Sequence, residues 1–341
     1  MTPDEREELR ATVRSALQRD DAAAILAEQL GAFGLAIPEE HGGIGCTLAE
    51  THIVCEELGR AVSPVPYLSS AVLVPQALLA AGAHDRLPDL AEGSVTGALA
   101  WAERGSWDPA ALRAEVRDGR LHGVKEHVLD GAEAGFFLVP ALLDGSLALF
   151  EVEASAASVE SLVPMDQTRP QARVTFDGAP ATLLSADGEA VLERLLAVAA
   201  TALSAEQLGG AERCLELTLE YVKTREQFGR VIGSFQAIKH RLADMYVLVE
   251  SSRSLSHDAA RALAENAPDA AERAAMAQSY CAEAFQTCAA ETIQLHGGIG
   301  FTWEHQAHLY FKRAHSAAQL FGTPAWHRAR LARTVLQGDA A

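Results

Sequence analysis

Between two long predicted helices lies the segment Tyr221–Gln236, whose sequence is YVKTREQFGRVIGSFQ. Glycines interrupt this connection, with Arg225 and Phe228 inside it and Gln236 just after it. The arginine guanidinium is planar and can bind a diphosphate through two hydrogen bonds, and a glutamine amide can both donate to and accept from an adenine edge. Taken alone, such a segment is more typical of a solvated turn between helices, so its meaning depends on the rest of the chain.

A second glycine-rich segment, Ile293–Phe301, has the sequence IQLHGGIGF and follows another predicted helix. Paired glycines allow a ligand to approach the backbone and expose amide groups to an anion. The glycine loop of a Rossmann fold follows a strand, and no strand is predicted before this segment. The segment therefore does not fit a Rossmann fold.

Helical and strand patterns divide the chain into three parts. Apolar residues recur at helical spacing over 4–30, 48–58 and 68–81, whereas 95–184 contains short apolar runs separated by turn signals. Three long helices follow: one over 189–223, a second that begins near Ser234, and a third over 269–295. Asp269 and Glu272 predict a capping box at the start of the third. We therefore predict an α+β fold with an N-terminal helical domain (1–95), a small antiparallel β domain of barrel or sandwich type (96–186) and a C-terminal four-helix bundle (187–341).

Composition excludes several classes of protein. The 341 residues include 28 Lys and Arg against 46 Asp and Glu, a formal charge of −18, which argues against nucleic acid and anionic lipid as main partners. No apolar run is long enough to span a membrane, and the acidic N-terminus is unlike a signal peptide. The odd number of cysteines without a CxxC pair favours reduced thiols. We expect a cytoplasmic protein.

Together the two glycine-punctuated segments resemble the acyl-CoA dehydrogenase family, flavoenzymes that oxidise the α,β-bond of acyl-CoA thioesters. The resemblance rests on TREQFGxxIGSFQ followed by QxHGGIGF, on Pro38–Gly43 (PEEHGG), and on the α–β–α order of the chain. It implies that three residues contact the diphosphate and adenosine end of a neighbouring subunit's FAD: Arg225, Phe228 and Gln236. Three more would contact the same cofactor: Gln294, Gly297 and Gly298. An oligomer is implied as well, because no single chain completes the flavin site of this family.

The catalytic base of the family is missing from its usual positions. Family members need a glutamate in a dry site that raises its pKa, so that it removes the α-proton of the substrate. The common position, in a Tyr-Glu-Gly-Thr stretch, aligns with Phe321, and the rarer one, on the first bundle helix, aligns with Ala199. The neighbouring Glu193 and Glu206 are interpreted as structural or surface carboxylates. We therefore predict no catalytic residue on this chain.

The β domain also departs from the family pattern. The strand and loop that hydrogen-bond the flavin and shape the acyl site align with Trp101–Asp108, which lacks the Thr-Glu-Pro and Gly-Ser-Asp elements. The Trp-Ile-Thr-Asn segment of the family aligns with His127–Asp130, where Leu129 has no hydroxyl to offer the flavin ring. The half-site that grips a neighbour's FAD is thus retained, and the half-site for the flavin ring is lost.

Some actinobacterial relatives are α2β2 heterotetramers that oxidise steroid side-chain CoA thioesters, with one subunit lacking the glutamate. The runs Gly300–His305 (GFTWEH) and Trp326–Leu331 (WHRARL) are similar to that subunit. The resemblance implies a non-catalytic subunit of a flavin-dependent acyl-CoA dehydrogenase, with FAD as cofactor and a base-bearing homologous subunit as partner. The substrate would be an acyl-CoA, and the electron acceptor an electron-transferring flavoprotein.

Two alternatives stay open at this stage. A gap in the alignment could make Glu193 or Glu206 the relocated base of a self-sufficient homomeric enzyme, or the chain could be a flavin-free scaffold or acyl-CoA-binding protein. The scaffold hypothesis does not explain why both Arg225 and Gln236 are present, because a flavin-free protein has no cofactor for them to bind. No metal site is predicted, because His305 and His308 have neither a third ligand nor HExxH spacing.

Overall fold

The structure is a computed structural model that describes residues 1–338. Its N-terminal region is helical, with α1 Pro3–Ala16, α2 Ala22–Ala24, α3 Leu48–Ala61, α4 Val74–Ala81 and α5 Leu87–Glu92. Single π turns cover Ile25–Gln29 and Leu68–Leu73, and 3-10 turns cover Ala32–Gly34 and Glu39–His41. Capping boxes begin α1 at Thr2 and α3 at Thr47, because each threonine is followed three residues later by a glutamate.

The middle of the chain forms one mixed sheet of eight strands. The strands are β1 Gly97–Leu99, β2 Glu115–Arg117, β3 Arg120–Leu129, β4 Phe136–Leu143, β5 Ser146–Glu153, β6 Ser158–Ser161, β7 Gln171–Pro180 and β8 Thr182–Ser185. Their order is β6-β7-β3-β2-β4-β5-β8, and β1 pairs with β4. Strands β1 and β2 run parallel to β4, and the other pairs are antiparallel.

The C-terminal region is a bundle of long helices. It contains α6 Gly188–Thr224, α7 Gln236–Ala264, α8 Ala270–His296, α9 Ala307–Ala317 and α10 Pro324–Gly338. A short hairpin, β9 Glu226–Gln227 and β10 Arg230–Val231, connects α6 to α7, and a 3-10 turn over Gly297–Phe301 follows α8. The hairpin and this 3-10 turn both follow the C-terminal ends of long bundle helices, α6 and α8.

Close packing joins the N-terminal helices to the bundle. A Cβ atom at Gly59 of α3 would lie 2.0 Å from the backbone of Glu206, and one at Gly209 of α6 would lie 1.9 Å from the backbone of Glu56. Only glycine allows the two helices to approach this closely. One apolar core then runs from the N-terminal helices past the sheet to α6, and it includes Phe321 from the α9–α10 connection.

Three local expectations are wrong. The helix predicted over 4–30 ends at Ala16, after which turns and π-helix replace it. The sheet, predicted to be antiparallel, is mixed because β1 and β2 pair with β4 in parallel. The sequence does not predict this pairing, because each of these strands is only three residues long and has no alternating pattern. The Asp269 carboxylate accepts charge-assisted hydrogen bonds from Arg273, at 2.9 and 2.8 Å, and makes no cap.

The α+β architecture of helices, sheet and helical bundle is confirmed. Helix α6 extends one residue beyond each end of the predicted 189–223, and α8 is displaced from 269–295 by one residue at each end. The domain boundaries at 95/96 and 186/187 stay predictions. Among the described residues, no helix combines the length and the apolar character needed to cross a bilayer. All five cysteines are free thiols.

Candidate functional site

The first predicted cofactor segment is a tight hairpin. Helix α6 ends at Thr224, and the amide of the next residue, Arg225, donates to the Tyr221 carbonyl at 2.9 Å. The Ile232 amide closes the hairpin on the Arg225 carbonyl at 2.8 Å. At the tip, Phe228 and Gly229 both have positive φ, 54° and 75°. Two consecutive positive φ values match the primed turns that suit the twist of β-hairpins. The turn presents Phe228 to solvent with 92% of its surface exposed.

The second predicted segment lies beside the first. Helix α8 ends at His296, and Gly297 follows with φ 63° and ψ −143°, a backbone conformation suited to glycine. Gln294, Gly297 and Gly298 are exposed, and a Cβ atom added to either glycine would meet nothing within 4 Å. The His296 ring stacks on the Tyr221 ring with a centroid separation of 4.4 Å. The structure therefore brings the end of α6 and the end of α8 together.

This face has the chemistry to bind an anion. Residues 221–240 carry four cationic side chains and one carboxylate, in a chain whose formal charge is −18. The exposed Arg225 guanidinium forms no ion pair or hydrogen bond with any residue in 1–338, and the same residues leave the exposed amides of Gln236 and Gln294 without partners. A free guanidinium, free amides and open glycine backbone fit the diphosphate and adenosine end of a dinucleotide.

The positions aligned with the base and the flavin-ring loop contact each other directly. Phe321 and Trp107 have ring centroids 4.3 Å apart, and Trp101 lies 5.9 Å from Phe321 and 6.4 Å from Trp107. All three side chains are buried. We call these residues the aromatic cluster. The other aligned base position, Ala199, is fully buried on α6, so neither position offers a carboxylate.

A cleft of about 610 Å³ remains beside the aromatic cluster. It lies between the sheet and the C-terminal helices, and Trp107, His127, Gln171 and Trp326 are among the residues that line it. Asp108 also lines the cleft, but its carboxylate caps the following 3-10 turn by accepting from the Ala110 amide at 3.0 Å. The residues at this cleft therefore fit a flavin ring less well than the residues at the ends of α6 and α8 fit the diphosphate and adenosine end of the cofactor.

Glu206, one of the two glutamates near the base position on α6, is engaged in a buried ion network. It is ion-paired with Arg169, and Arg313 lies 3.7 Å away. Arg313 is itself held by Asp166 at 2.6 Å. The Glu206 carboxylate is therefore held in an ion network by two guanidinium groups, and it does not line the cleft. Glu193, the other candidate, is half-exposed and ion-paired with Arg330.

Asp130 is a carboxylate that the sequence did not single out as a base. Burial raises its pKa to about 6, against the opposing effect of its hydrogen bond from Ser69. A raised pKa is a common property of catalytic carboxylates. Asp130, however, lines a small cavity of about 20 Å³ with Arg169 and Glu206. That volume holds a water molecule and no acyl chain, so we assign Asp130 a structural role.

His52, Glu56 and His257 form a further group whose ligand atoms all lie within 4.8 Å of one another. Glu56 accepts hydrogen bonds from Arg10 at 2.8 and 3.2 Å and lies 3.2 Å from His257 Nε2. His52 Nε2 is 2.8 Å from Ser256 Oγ. Because the Arg10 guanidinium already binds the Glu56 carboxylate, we interpret this group as an ion-pair network that connects α1, α3 and α7.

Two contacts at the candidate site are not predicted by the sequence analysis, and only one of them has a signal in the sequence. Phe321 and Trp107 are separated by more than half of the chain, and no pattern connects them. Tyr221 lies four residues before Arg225 and His296 directly before Gly297, so a search for aromatic residues at the ends of the two helices could have paired them.

Two family profiles and a known relative match most of this chain. The family profile described as "Acyl-CoA dehydrogenase, N-terminal domain" matches residues 3–94, and the one described as "Acyl-CoA dehydrogenase, C-terminal domain" matches residues 186–336. Acyl-CoA dehydrogenase IpdE2 of Mycobacterium tuberculosis is 40% identical over 342 aligned positions, which cover 94% of each chain.

Solved structures are similar over nearly the whole chain. The Tcur3481–Tcur3483 steroid ACAD superposes with a TM-score of 0.90 and 30% identity and covers 99% of both chains. The ChsE4–ChsE5 complex from Mycobacterium tuberculosis superposes with a TM-score of 0.88 and 28% identity and covers 98% of both chains.

Proposed function

This chain belongs to the acyl-CoA dehydrogenase family of oxidoreductases, and on that premise we propose that it is the subunit without a catalytic base in a hetero-oligomeric acyl-CoA dehydrogenase. Its function is to complete the FAD site of a homologous, base-bearing subunit. The two similar structures are each described by a pair of protein names, one of them as a complex, which supports a hetero-oligomer.

The observation that carries this proposal is the contact between Phe321 and Trp107. In the family, a carboxylate and a flavin ring meet between these two regions, whereas here two buried aromatic rings lie 4.3 Å apart. Replacing Phe321 by a carboxylate in the same position would bury an unpaired charge among aromatic side chains, which is strongly unfavourable. The catalytic half-site is therefore assigned to the partner.

The cofactor half-site is assigned to this chain. Exposed Arg225 would bind the diphosphate, the Gln236 and Gln294 amides the adenosine, and the open backbone at Gly297 and Gly298 the remaining polar groups. Phe228, exposed at the hairpin tip, would pack against the partner or the cofactor. FAD, when bound, supplies the hydride acceptor of the family's α,β-dehydrogenation.

For the substrate we propose a steroid side-chain CoA thioester. The support is the similarity to a structure described as a steroid ACAD. Electrons would pass from the complex to an electron-transferring flavoprotein. This chain then contributes no proton transfer, and its residues bind and orient the cofactor at the subunit contact.

The test is FAD stoichiometry. The chain is purified alone and co-expressed with a base-bearing family member from the same genome, and the flavin absorbance is compared with the protein mass from light scattering. We expect one FAD per pair of unlike chains, with dehydrogenase activity only in the complex. The variant Arg225→Ala should lose FAD, because it removes a charge-assisted hydrogen bond, by about tenfold or more in affinity.

Arg19→Ala is the matched control, since Arg19 is an exposed arginine in the N-terminal helical region and is paired with Asp21. It should leave the FAD content unchanged. One FAD per chain in the protein purified alone, reduced on addition of acyl-CoA, would reject the proposal in favour of a self-sufficient homomer.

A further inference from the structure

Three aromatic rings stand in contact at the junction of the two cofactor segments. The His296 ring is 4.4 Å from Tyr221, with an interplanar angle of 27°, and 4.3 Å from His305, with an angle of 42°. We call Tyr221, His296 and His305 the aromatic column. It connects the last turn of α6, the end of α8 and the loop before α9.

Tyr221 links the column to Arg225. Its carbonyl accepts the Arg225 amide at 2.9 Å, and the Arg225 carbonyl in turn accepts the Ile232 amide at 2.8 Å. The Tyr221 backbone thus fixes the residue from which the exposed guanidinium extends. A shift of the Tyr221 backbone would therefore move the start of the hairpin, and the stacking of the Tyr221 ring on His296 opposes such a shift.

His296 links the column to the glycine pair. Its Nδ1–H donates to the Thr292 carbonyl at 2.7 Å, and Gly297 follows directly in its positive-φ conformation. The ring is 3% exposed, and Nε2 is buried without a hydrogen-bond partner in residues 1–338. Stacking and one hydrogen bond to its own helix therefore position the ring, and only the stacking reaches α6.

We propose that Tyr221 and His296 are positioning residues that set the spacing between Arg225 and Gly297–Gly298, and thereby the affinity of this chain for the dinucleotide. This inference rests on the proposed function, because it requires that both segments bind one cofactor. Neither side chain needs to touch FAD. The stack instead holds two binding segments from different helices in a fixed relative position before binding, which lowers the cost of ordering them.

The test uses paired variants of the complex that carries FAD. Tyr221→Leu and His296→Leu remove stacking, whereas Tyr221→Phe and His296→Phe retain an aromatic ring. The dissociation constant of FAD is measured by flavin fluorescence on the apo-complex, and the KM for acyl-CoA is measured in excess FAD. We expect the leucine variants to bind FAD about three- to tenfold more weakly, as for the loss of an aromatic pair, and the phenylalanine variants to bind as the unmodified protein does.

If Tyr221 and His296 had a purely structural role, their substitution would lower the melting temperature, but the leucine and phenylalanine variants would bind FAD with the same affinity. Equal affinity in all four variants, with Arg225→Ala still weakened, would overturn the positioning inference and leave the proposed function standing. If Arg225→Ala also binds FAD normally, the proposed function itself fails, and the inference falls with it. Should Tyr221→Leu not fold, the two His296 variants decide alone.

Discussion

Glu206 shows why a residue's type and position do not reveal its role. From the sequence it is one of two acidic residues near a base position on α6, and the pattern alone indicates only a structural or surface carboxylate. In the structure it shares a buried network with Arg169 and Arg313, which come from a loop after the sixth strand and from α9. Neither arginine could be paired with it from spacing, because the contacts join distant parts of the chain.

We expect Glu206→Gln to lower the free energy of unfolding by about 3 kcal/mol, because it leaves buried guanidinium charge without its counter-ion. Glu193→Gln is the matched control on the same helix, and its half-exposed ion pair with Arg330 should contribute less than about 1 kcal/mol. Both are measured by denaturant unfolding. A Glu206→Gln protein of normal stability that has lost all turnover would instead identify Glu206 as a base.

The elements differ in how well the sequence predicts them. The sequence predicts helices α6 and α8 to within one residue at each end, because long runs of helical periodicity end at clear breaks. For the hairpin after α6, the sequence predicts only a glycine-punctuated connection. Its strands have two residues each, and its turn is Phe-Gly rather than the usual Asn-Gly, so the local signal is weak.

Phe228 in that hairpin combines two unfavourable properties in the isolated chain, a positive φ on a bulky residue and a 92% exposed aromatic surface. We expect Phe228→Asn to stabilise the isolated chain by about 0.5–1 kcal/mol, since asparagine tolerates this conformation. The same variant should weaken association with the partner, because the exposed ring is lost from the contact. Denaturant unfolding and analytical ultracentrifugation measure the two effects.

Val163→Asn provides the comparison for Phe228→Asn. Val163 is 89% exposed in the β6–β7 connection of the sheet region and lies outside both cofactor segments. It should leave association unchanged. If Phe228→Asn associates with the partner as tightly as the unmodified chain does, Phe228 is not part of the proposed subunit contact.

Across the whole molecule, packing between the N-terminal helices and the bundle is where acid should act first. His52 of α3 is buried against Ser256 of α7, and Ser256 is 2.7 Å from Ser204 of α6. Burial lowers the pKa of His52 to about 3, while Glu56 opposes this and His257 and Arg10 reinforce it. The imidazole is therefore neutral in the folded protein at any moderately acidic pH.

In the unfolded chain His52 titrates near its ordinary pKa of about 6.5. Between that value and about 3, the unfolded state binds a proton that the folded state does not, so the free energy of unfolding falls as the pH falls through this window. We expect His52→Gln, which retains a polar partner for Ser256, to reduce the loss of stability between pH 7 and pH 5 by on the order of 1–2 kcal/mol. His240→Gln, an exposed change on α7, should leave that loss unaltered. Unfolding curves collected across this range decide the matter, because equal pH dependence in the two variants would show that the α3–α7 junction is not the acid-sensitive contact.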